Sequence, residues 1–447
     1  MTIVSAKKSP QWSSSIGFVL TAAGAAVGFG NLQRFPQMVS EHGGGAFLLL
    51  YLVCVFLFGW PLMLVEFALG RAGRADPVSC FRVVAPHRPL WRLVGALGTL
   101  TAFCILSYYS VICAWTIVFT RDSLAGNAVT FDQIAADPAR VWIYLAGFHL
   151  LVAAIILRGL NKGLERVSKI TMPLLFMMQL VLVARVLMMP NSLEGLLYYL
   201  TPDFSKLTGH ALIHALSQAF FSLCIGEAVL MTYGSYVKKD KNLPQLAYYV
   251  FSFDTAVAFL SGLVIFPALF ATRQQSLHQG TALIYNVIPQ ILATLPFSLF
   301  FQVAFFAILA IAGLTTCIAL LEAPSYTLSK ATNLSRKTAI VIVSLLAFLL
   351  GIPSLYSKGG SLVCSTIQLG GSQGFYDIMD SLWGGVGMII TGMLTTVFVG
   401  WIWGAHAAAK ELSRSCTGFA KFSSLWQLHI RWTAPMLIAV ILISVLW

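Results

Sequence analysis

The chain alternates long apolar stretches with short polar connections. Eleven of these stretches are long enough to cross a bilayer at about 1.5 Å per residue, and we predict each as a transmembrane helix. The predicted spans are 13–39, 45–70, 91–120, 141–158, 166–190, 210–237, 243–272, 297–329, 337–356, 374–408 and 426–447. The connection Gln274 to Pro296 is amphipathic and is predicted to hold a short helix pair that acts as a lid. The pattern leaves no room for a soluble domain.

Composition agrees with an all-α polytopic membrane protein. Of the 447 residues, 58% are hydrophobic and 10% are charged, whereas about a quarter of a soluble chain is charged. The net charge of +12 does not indicate nucleic-acid binding, because Lys and Arg cluster in alternate connections. This positive-inside pattern predicts a cytoplasmic N-terminus and, after an odd number of spans, an external C-terminus. The eight cysteines form no C-x-x-C pair, so neither a disulfide framework nor a metal site is predicted from them.

The first span is interrupted near its middle. Gly28 and Gly30 each disfavour a helix interior by about 1 kcal/mol relative to alanine, and the polar residues Asn31 and Arg34 follow them. Bare backbone groups at mid-membrane are tolerated only where they line a cavity or are buried in protein. Opened turns offer N–H groups to an anion and C=O groups to a cation, so this stretch predicts a binding site for such a pair. The alternative is a small-residue packing face made by Gly24, Gly28 and Gly30.

A second break falls in span 6, where Gly226 and Glu227 lie at mid-span. Spans 1 and 6 are five apart, which makes them the opening helices of two five-helix halves, the second inverted. Interrupted helices at corresponding positions of two halves indicate a transporter site. The predicted organisation is a tail (1–12), a first repeat (13–207), an inverted second repeat (208–408) and an inner loop with an accessory eleventh helix (409–447).

With both breaks in place, the chain resembles the neurotransmitter:sodium symporter family in its bacterial LeuT-like branch. The resemblance covers nearly the whole chain and rests on dispersed motifs that occur in order: Trp12, Gly24 to Asn31 with Arg34-Phe35-Pro36, Gly43 to Phe47, Gly59 to Leu62 with Glu66, Tyr108-Tyr109, Gln218 to Ser222, and Ala312 to Thr316. It implies a LeuT-like fold of eleven helices, a 5+5 inverted repeat with spans 1 and 6 unwound. It also implies sodium-coupled uptake of an amino acid. No catalytic nucleophile–base set stands out in the sequence, so an enzyme is not expected.

The resemblance implies two sodium sites, which suit the hard oxygen ligands that membrane sites offer. One is formed by the carbonyls of Gly24, Val27 and Ala312 with the hydroxyls of Thr315 and Thr316. The other is formed by Ala26, Asn31, Ser222 and Asp254, completed by the substrate carboxylate. The alternative for the two threonines is a hydrogen bond back to the preceding helical turn, which is common in apolar helices.

The resemblance also implies the substrate contacts. The N–H groups of Gly28 and Gly30 and the Tyr109 hydroxyl are expected to hold the substrate carboxylate. Glycine at position 28, where monoamine-transporting relatives carry an aspartate, favours an amino acid over an amine. The remaining expected substrate contacts are Ala26, Ile105, Phe221, Ser222, Cys224, Glu227, Thr316 and Leu320.

Most of this lining is apolar or small, and it predicts a neutral hydrophobic or aromatic substrate. Glu227 departs from it, because a carboxylate at mid-membrane must be paired, protonated or hydrated. It either contacts a basic or polar substrate, takes a proton, or bonds behind the pocket. Glu66 is expected to have a structural role, bracing the unwound part of span 6.

Two further expectations follow from the comparison. Asp254 supplies a permanent negative charge where chloride-dependent relatives are neutral, so chloride-independent transport is predicted. Arg34 and Asp380 resemble the outer gate pair, with Gln218 near Arg34, and Trp12 is kept on the inner side. The inner gate departs from the pattern, because its arginine falls on Ser9 and its acidic partner on Lys330.

The sequence therefore predicts a sodium-coupled amino-acid symporter, a monomer or weak homodimer, in a bacterial inner membrane. Its expected partners are sodium ions, an amino-acid substrate and the lipid bilayer. The alternatives are a transporter of cationic or polar amino acids that uses Glu227, and a non-transporting sensor or channel-like member.

Overall fold

The computed structural model describes residues 10–126, 130–272, 283–332, 334–369 and 371–446, and these are almost entirely helical. The helices that correspond to the predicted spans are long, and some contain a π-helical turn. They are α1 (Ser15–Ala26), α2 (Gly30–Glu41), α3 (Gly45–Gly73), α5 (Pro89–Asp122), α7 (Pro138–Leu157), α8 (Leu160–Leu187), α10 (Gly209–Ser222), α11 (Val229–Ser235), α12 (Leu243–Ala271), α14 (Ser298–Ala331), α15 (Arg336–Tyr356), α17 (Phe375–Ile402) and α20 (Ser423–Val445).

Shorter elements lie in the connections. They are α4 (Pro77–Val84), α6 (Phe131–Ala135), α9 (Ser192–Leu200), α13 (Ile288–Ala293, after a π turn Leu283–Val287), α16 (Leu362–Thr366), α18 (Ala405–Ser413) and α19 (Thr417–Ala420). A small antiparallel ribbon pairs β1 (Gln368–Leu369) with β2 (Ser372–Gln373). Residues 274–282 of the predicted lid connection lie outside the described residues.

The predicted count of eleven spans is not confirmed. By length and composition, the described residues contain nine helices that could cross a membrane, and ten when the bent pair α1 and α2 is one span. The remaining predicted span, 210–237, is divided between α10 and α11, which are 14 and 7 residues long, and neither half is long enough to cross alone. The break that the sequence predicted inside this span is therefore what lowers the count.

The interior of the bundle is built around α5, which packs along α14. In the most apolar window of α5, 89% of the residues are buried, against 22% in α20. Both helices are apolar, so the difference reflects position: α5 is surrounded by protein, whereas α20 presents most of its surface outward. Exposed Leu425, Met436 and Ile443 on α20 are what a lipid-facing helix requires.

The first helix is interrupted where the glycines predicted it. The α-helical conformation ends at Ala26, Val27 is extended (φ −68°, ψ 106°), and helix resumes at Gly30 with the axis bent by 57°. The second interruption lies between α10 and α11, where Cys224 (φ 53°) and Ala228 (φ 58°) adopt left-handed conformations that non-glycine residues rarely take. Such conformations persist only where the surroundings hold them, and both breaks are buried.

Candidate functional site

The first break exposes main-chain oxygens to α14. The Thr316 hydroxyl lies 3.2 Å from the carbonyl oxygens of both Ala25 and Val27. The Ala25 oxygen also accepts a hydrogen bond from the Cys224 thiol, at 3.2 Å. One unwound turn is therefore contacted from α14 and from the second break at once.

Thr315 and Thr316 behave differently, although they are adjacent. The Thr315 hydroxyl donates to the carbonyl oxygens of Ile311 and Ala312 in its own helix, at 3.1 and 3.0 Å. This is the back-bonded arrangement that the sequence left open. Gly24 faces the same residue, because a Cβ atom there would lie 3.2 Å from Cβ of Thr315. The five residues of the first predicted sodium site are thus drawn from two facing segments, around Gly24 to Val27 and around Ala312 to Thr316.

A second polar cluster lies on the other side of the break. The Asn31 amide nitrogen donates to Oδ1 of Asp254 at 2.8 Å and to Oγ of Ser222 at 3.0 Å. Ser222 donates in turn to Oδ2 of Asp254 at 2.7 Å, and the Tyr51 hydroxyl lies 3.5 Å from Ser222. Ala26, assigned to the same site, is the buried last residue of α1. Asn31, Ser222, Asp254 and Tyr51 are all essentially inaccessible to solvent.

Asp254 has no cationic partner in the ion pairs formed by the described residues. An unpaired buried carboxylate is destabilising by several kcal/mol, so this cluster fits a bound cation. The atoms available are carboxylate, amide, hydroxyl and carbonyl oxygens, which alkali and alkaline-earth ions prefer. No group of three or more His, Cys, Asp or Glu side chains that could hold a metal ion occurs in the described ranges. The oxygen-rich set suits sodium better than a transition metal.

The glycines of the break allow very close approach. A Cβ atom at position 28 would lie 2.3 Å from the Tyr109 hydroxyl oxygen and 3.1 Å from that of Thr316. At position 30 it would lie 2.9 Å from the Phe221 ring. Only glycine fits at either position without displacing these side chains.

Two of the three groups expected to donate to the substrate carboxylate take part in other hydrogen bonds. The Gly28 N–H donates to Oδ1 of Asn31 at 3.2 Å, and the Tyr109 hydroxyl accepts from the Phe29 N–H at 2.8 Å. The Tyr109 hydroxyl also interacts with the Thr316 hydroxyl. Ala25 and Phe29 lie within the Gly24 to Asn31 motif but are not among the predicted site residues, and both enter the site through main-chain groups.

The expected side-chain pocket is buried. Ile105, Cys224, Thr316 and Leu320 are each at most 6% exposed, and Phe221 is half-buried. Glu227 lies in the second break and is 3% exposed. Its Oε2 atom has no hydrogen-bond partner within the described part of the chain, and the nearby Glu66 carboxyl repels it.

Glu66 contacts the second break directly. Its Oε1 atom accepts a hydrogen bond from the Gly226 N–H at 2.7 Å. Gly226 has a positive φ of 91°, and a Cβ atom there would lie 2.1 Å from the Met388 carbonyl oxygen. The break is thus held between α3 and α17.

On one side of the site, aromatic and charged groups cover the breaks. The Arg34 guanidinium lies 4.7 Å above the Phe221 ring, and Nη2 is 3.5 Å from the Ser217 hydroxyl. Gln218 donates to the Gly30 carbonyl at 2.8 Å rather than to Arg34. Asp380 is exposed and attracts Arg34 electrostatically, but no direct Arg34–Asp380 ion pair is among those of the described residues.

On the opposite side, Trp12 closes the base of the bundle. Its indole Nε1 donates to the Tyr233 carbonyl at 3.0 Å, and its ring packs edge-on against Tyr233 and Tyr236. Ser9, Lys7 and Lys8 lie outside the described residues. Lys330 is exposed, and its Nζ lies 5.9 Å from the Tyr326 ring.

Two acidic residues that the sequence did not place in the inner gate lie in this region. Glu322 accepts a bidentate interaction from Arg336, at 2.7 and 2.9 Å, and a hydrogen bond from Tyr236 at 2.8 Å. This joins α14, α15 and the end of α11.

Glu165 is the second of these acidic residues. It belongs to α8, and its carboxylate lies beside the start of α1. It accepts hydrogen bonds from the Ser13 N–H at 2.9 Å, from the Ser13 hydroxyl, and from the Ser14 hydroxyl at 3.1 Å. Lys169 pairs with the same carboxylate at 2.8 Å. The Glu165–Lys169 pair has the local i,i+4 spacing of a helix, whereas the contacts with Ser13 and Ser14 join residues about 150 positions apart and have no local signal.

Comparison with known proteins identifies the family of the chain. The sodium:neurotransmitter symporter family model matches residues 9–134 and 127–447. The chain is 32% identical to an uncharacterized sodium-dependent transporter, YhdH, of Bacillus subtilis, over 99% of both chains. It is 33% identical to an uncharacterized sodium-dependent transporter of Haemophilus influenzae, over 98% of both.

Among solved structures, it superposes on MhsT in complex with L-phenylalanine with a TM-score of 0.89 and 35% identity, covering 98% of this chain and 99% of MhsT. These relatives are transporters and not enzymes, and MhsT has the LeuT fold. The chain belongs to the sodium:neurotransmitter symporter family.

Proposed function

We propose that this protein is a symporter that uses the sodium gradient to take up a neutral hydrophobic or aromatic amino acid by alternating access, independently of chloride. The observation that carries the proposal is the buried Asn31–Ser222–Asp254 cluster beside an unwound helix, whose carboxylate has no cationic partner among the described residues. A cation at this cluster and an amino-acid carboxylate at the opened turn would compensate each other's charge.

The first sodium ion would be bound between the two facing segments around Gly24 and Thr315. Its ligands would be the carbonyls of Gly24, Val27 and Ala312 and the hydroxyls of Thr315 and Thr316. The contact of Thr316 with Val27, at 3.2 Å, supports this assignment because the hydroxyl already faces the unwound turn. Thr315 must exchange its back-bond for the ion.

The second sodium ion would be bound by Ala26, Asn31, Ser222 and Asp254, together with the substrate carboxylate. For this the Asn31 amide must rotate, because its nitrogen now faces Asp254 and its oxygen accepts from Gly28. Rotation presents the amide oxygen to the ion and releases the Gly28 N–H for the substrate. Ion binding and carboxylate binding would therefore be coupled through one side chain.

Chloride independence follows from the charge balance. The Asp254 carboxylate is a fixed, buried negative charge beside the proposed ion, so no bound anion is needed to supply it. A chloride ion would add a second negative charge near this carboxylate, which is costly in a low-dielectric interior.

The preference for a hydrophobic or aromatic side chain is supported by the buried, mostly apolar lining formed by Ile105, Phe221, Cys224, Thr316 and Leu320. The L-phenylalanine in the MhsT structure supports it as well. The second candidate is a cationic or polar amino acid, favoured by the Oε2 atom of Glu227, which has no hydrogen-bond partner among the residues that the structure describes.

The two sides of the site supply the gates. Arg34, Asp380 and Gln218 would close the outer side over Phe221, and Trp12 with the Glu322–Arg336 and Glu165–Ser13 contacts would close the inner side. The protein would be a multi-pass protein of a bacterial inner membrane, with its N-terminus cytoplasmic and its C-terminus outside, as the distribution of Lys and Arg predicts. Two charges that cross about 100 mV supply about 4.6 kcal/mol, enough for more than a thousandfold accumulation.

The test is sodium-dependent binding of each common amino acid to the purified protein, repeated with Glu227→Met. We expect leucine-like or aromatic ligands to bind only with sodium, in chloride-free buffer, and the variant to keep that preference. If the native protein instead binds a basic or polar amino acid and Glu227→Met no longer binds it, the substrate is a cationic or polar amino acid and not a hydrophobic one.

Reconstituted protein distinguishes a pump from a sensor or channel. In proteoliposomes with an inward sodium gradient, we expect the substrate to accumulate above its external concentration. Binding that ignores sodium, or uptake that only equilibrates, would contradict symport.

A further inference from the structure

A basic surface pocket lies where α7 ends and α8 begins, away from the site described above. It has a volume of about 470 Å³, and it is lined by Arg158, Lys162, Arg166, Val167 and Ile170. Arg158 follows the last residue of α7, whereas the other four belong to α8. Three positive charges therefore converge from both sides of one tight connection.

These three charges are not neutralised by the protein. None of Arg158, Lys162 and Arg166 takes part in the ion pairs formed by the described residues, and all three are exposed. Glu165, the acidic residue of the same connection, is 1% exposed, and its carboxylate is turned to Ser13, Ser14 and Lys169. Its charge is thus balanced by Lys169 and does not offset the pocket.

The pocket continues into an apolar stripe on α8. Ile170, Leu174, Met177 and Val181 are 62, 47, 58 and 45% exposed. Their spacing of three and four residues puts them on one face of the helix, beginning at the wall of the pocket. A basic site at the end of an exposed apolar face fits a molecule with an anionic head and a hydrocarbon tail.

The positive-inside distribution predicts that this connection is cytoplasmic, where membranes present anionic lipids. Basic pockets on the cytoplasmic side of transmembrane helices bind anionic lipid headgroups, and each Lys or Arg adds to the attraction. We propose that Arg158, Lys162 and Arg166 bind the phosphate headgroup of an anionic phospholipid, whose acyl chain lies along the Ile170–Val181 face of α8.

The bilayer is the source of the ligand, rather than free phosphate, because half of the binding surface is apolar. The proposal does not depend on which substrate is transported. The bound headgroup would lie within one helical turn of Glu165, whose carboxylate accepts hydrogen bonds from the start of α1.

The experiment measures the dissociation constant of dioctanoyl phosphatidylglycerol for the full-length protein in an uncharged maltoside detergent. Dioctanoyl phosphatidylcholine and inorganic phosphate serve as comparison ligands. The variant is the triple substitution Arg158→Gln, Lys162→Gln and Arg166→Gln. From the contribution per basic residue, we expect it to bind the anionic lipid roughly 100-fold more weakly than the native protein.

The matched control is Arg82→Gln, Arg88→Gln and Arg92→Gln, which removes the same charge from another exposed connection predicted to be cytoplasmic. This control is expected to bind nearly as well as the native protein, and both variants are expected to keep the native unfolding temperature.

Any one of three results would overturn the proposal. The first is an equal loss of affinity for the anionic lipid in the two triple variants, and the second is equal affinity of the native protein for the two lipids. The third is displacement of the lipid by inorganic phosphate at concentrations equal to the dissociation constant of the lipid.

Discussion

The Asn31 amide nitrogen lies 2.8 Å from Oδ1 of Asp254, in a position where neither side chain is accessible to solvent. The contact joins the restart of the first broken helix to the middle of α12. Because Ser222 of α10 donates to the same carboxylate, one acidic residue connects both interrupted spans. Any substitution of Asp254 should therefore alter the contacts of both breaks and the binding of the proposed ion.

We predict that Asp254→Asn lowers the sodium affinity of substrate binding at least roughly tenfold in chloride-free buffer, since the substitution removes the only charge in the cluster. Added chloride is expected to restore part of the affinity by replacing the lost charge. Titration of sodium against substrate binding, with and without chloride, measures both effects. Asp240→Asn, at a side chain 69% exposed, is the control, and equal sodium affinity in both variants would contradict the assignment.

We predict that Gly28→Ala abolishes substrate binding. The added methyl group would lie 2.3 Å from the Tyr109 hydroxyl oxygen, so the tyrosine must leave the position from which it contacts the break. Gly147→Ala is the control, because a Cβ atom there meets nothing within 4 Å. Alanine at position 147 is expected to stabilise α7 by up to about 1 kcal/mol. Binding at native affinity in Gly28→Ala would show that the break is not at the substrate.

We predict that Glu165→Gln loosens the start of α1. Charge-assisted hydrogen bonds are roughly twice as strong as neutral ones, and this carboxylate accepts three from Ser13 and Ser14. Amide hydrogen exchange across Ser15–Ala26 is expected to be about tenfold faster, which corresponds to about 1.4 kcal/mol. The exposed Glu194→Gln serves as the control. Unchanged exchange in Glu165→Gln would mean that Trp12 alone holds this end.

We predict that Glu411→Leu destabilises the protein by about 3–5 kcal/mol, because it leaves the fully buried Arg71 guanidinium without its counter-charge. The double variant Arg71→Met with Glu411→Leu is expected to recover most of the loss. Asp377→Asn breaks the partly exposed pair with Lys358 and should cost less than about 1 kcal/mol. Thermal unfolding of the purified protein compares the three. If both single variants lose the same stability, burial does not govern these pairs.

Much of the fold could be predicted because it depends on local pattern. Runs of apolar residues predict the long helices, and Gly28 and Gly30 predict where the first helix breaks. Gly226 and Glu227 predict a second break inside the span 210–237, which forms α10 and α11 with left-handed residues between them. Its break is maintained by Glu66 from α3, a contact across the bundle that hydropathy does not register.

The sequence by itself determined the helical membrane architecture, the two breaks and the family, because hydrophobic period, glycine and dispersed motifs act locally. Only the tertiary structure decided how each buried polar group is satisfied. In the tertiary structure the Ala25 oxygen accepts from Thr316 and Cys224, and the Glu165 carboxylate accepts from the start of α1. One oxygen of Glu227 has no partner within the described ranges. The physical reason is that a buried polar atom is stabilised by whichever donor or charge the fold brings near it, and that neighbour is rarely adjacent in the chain.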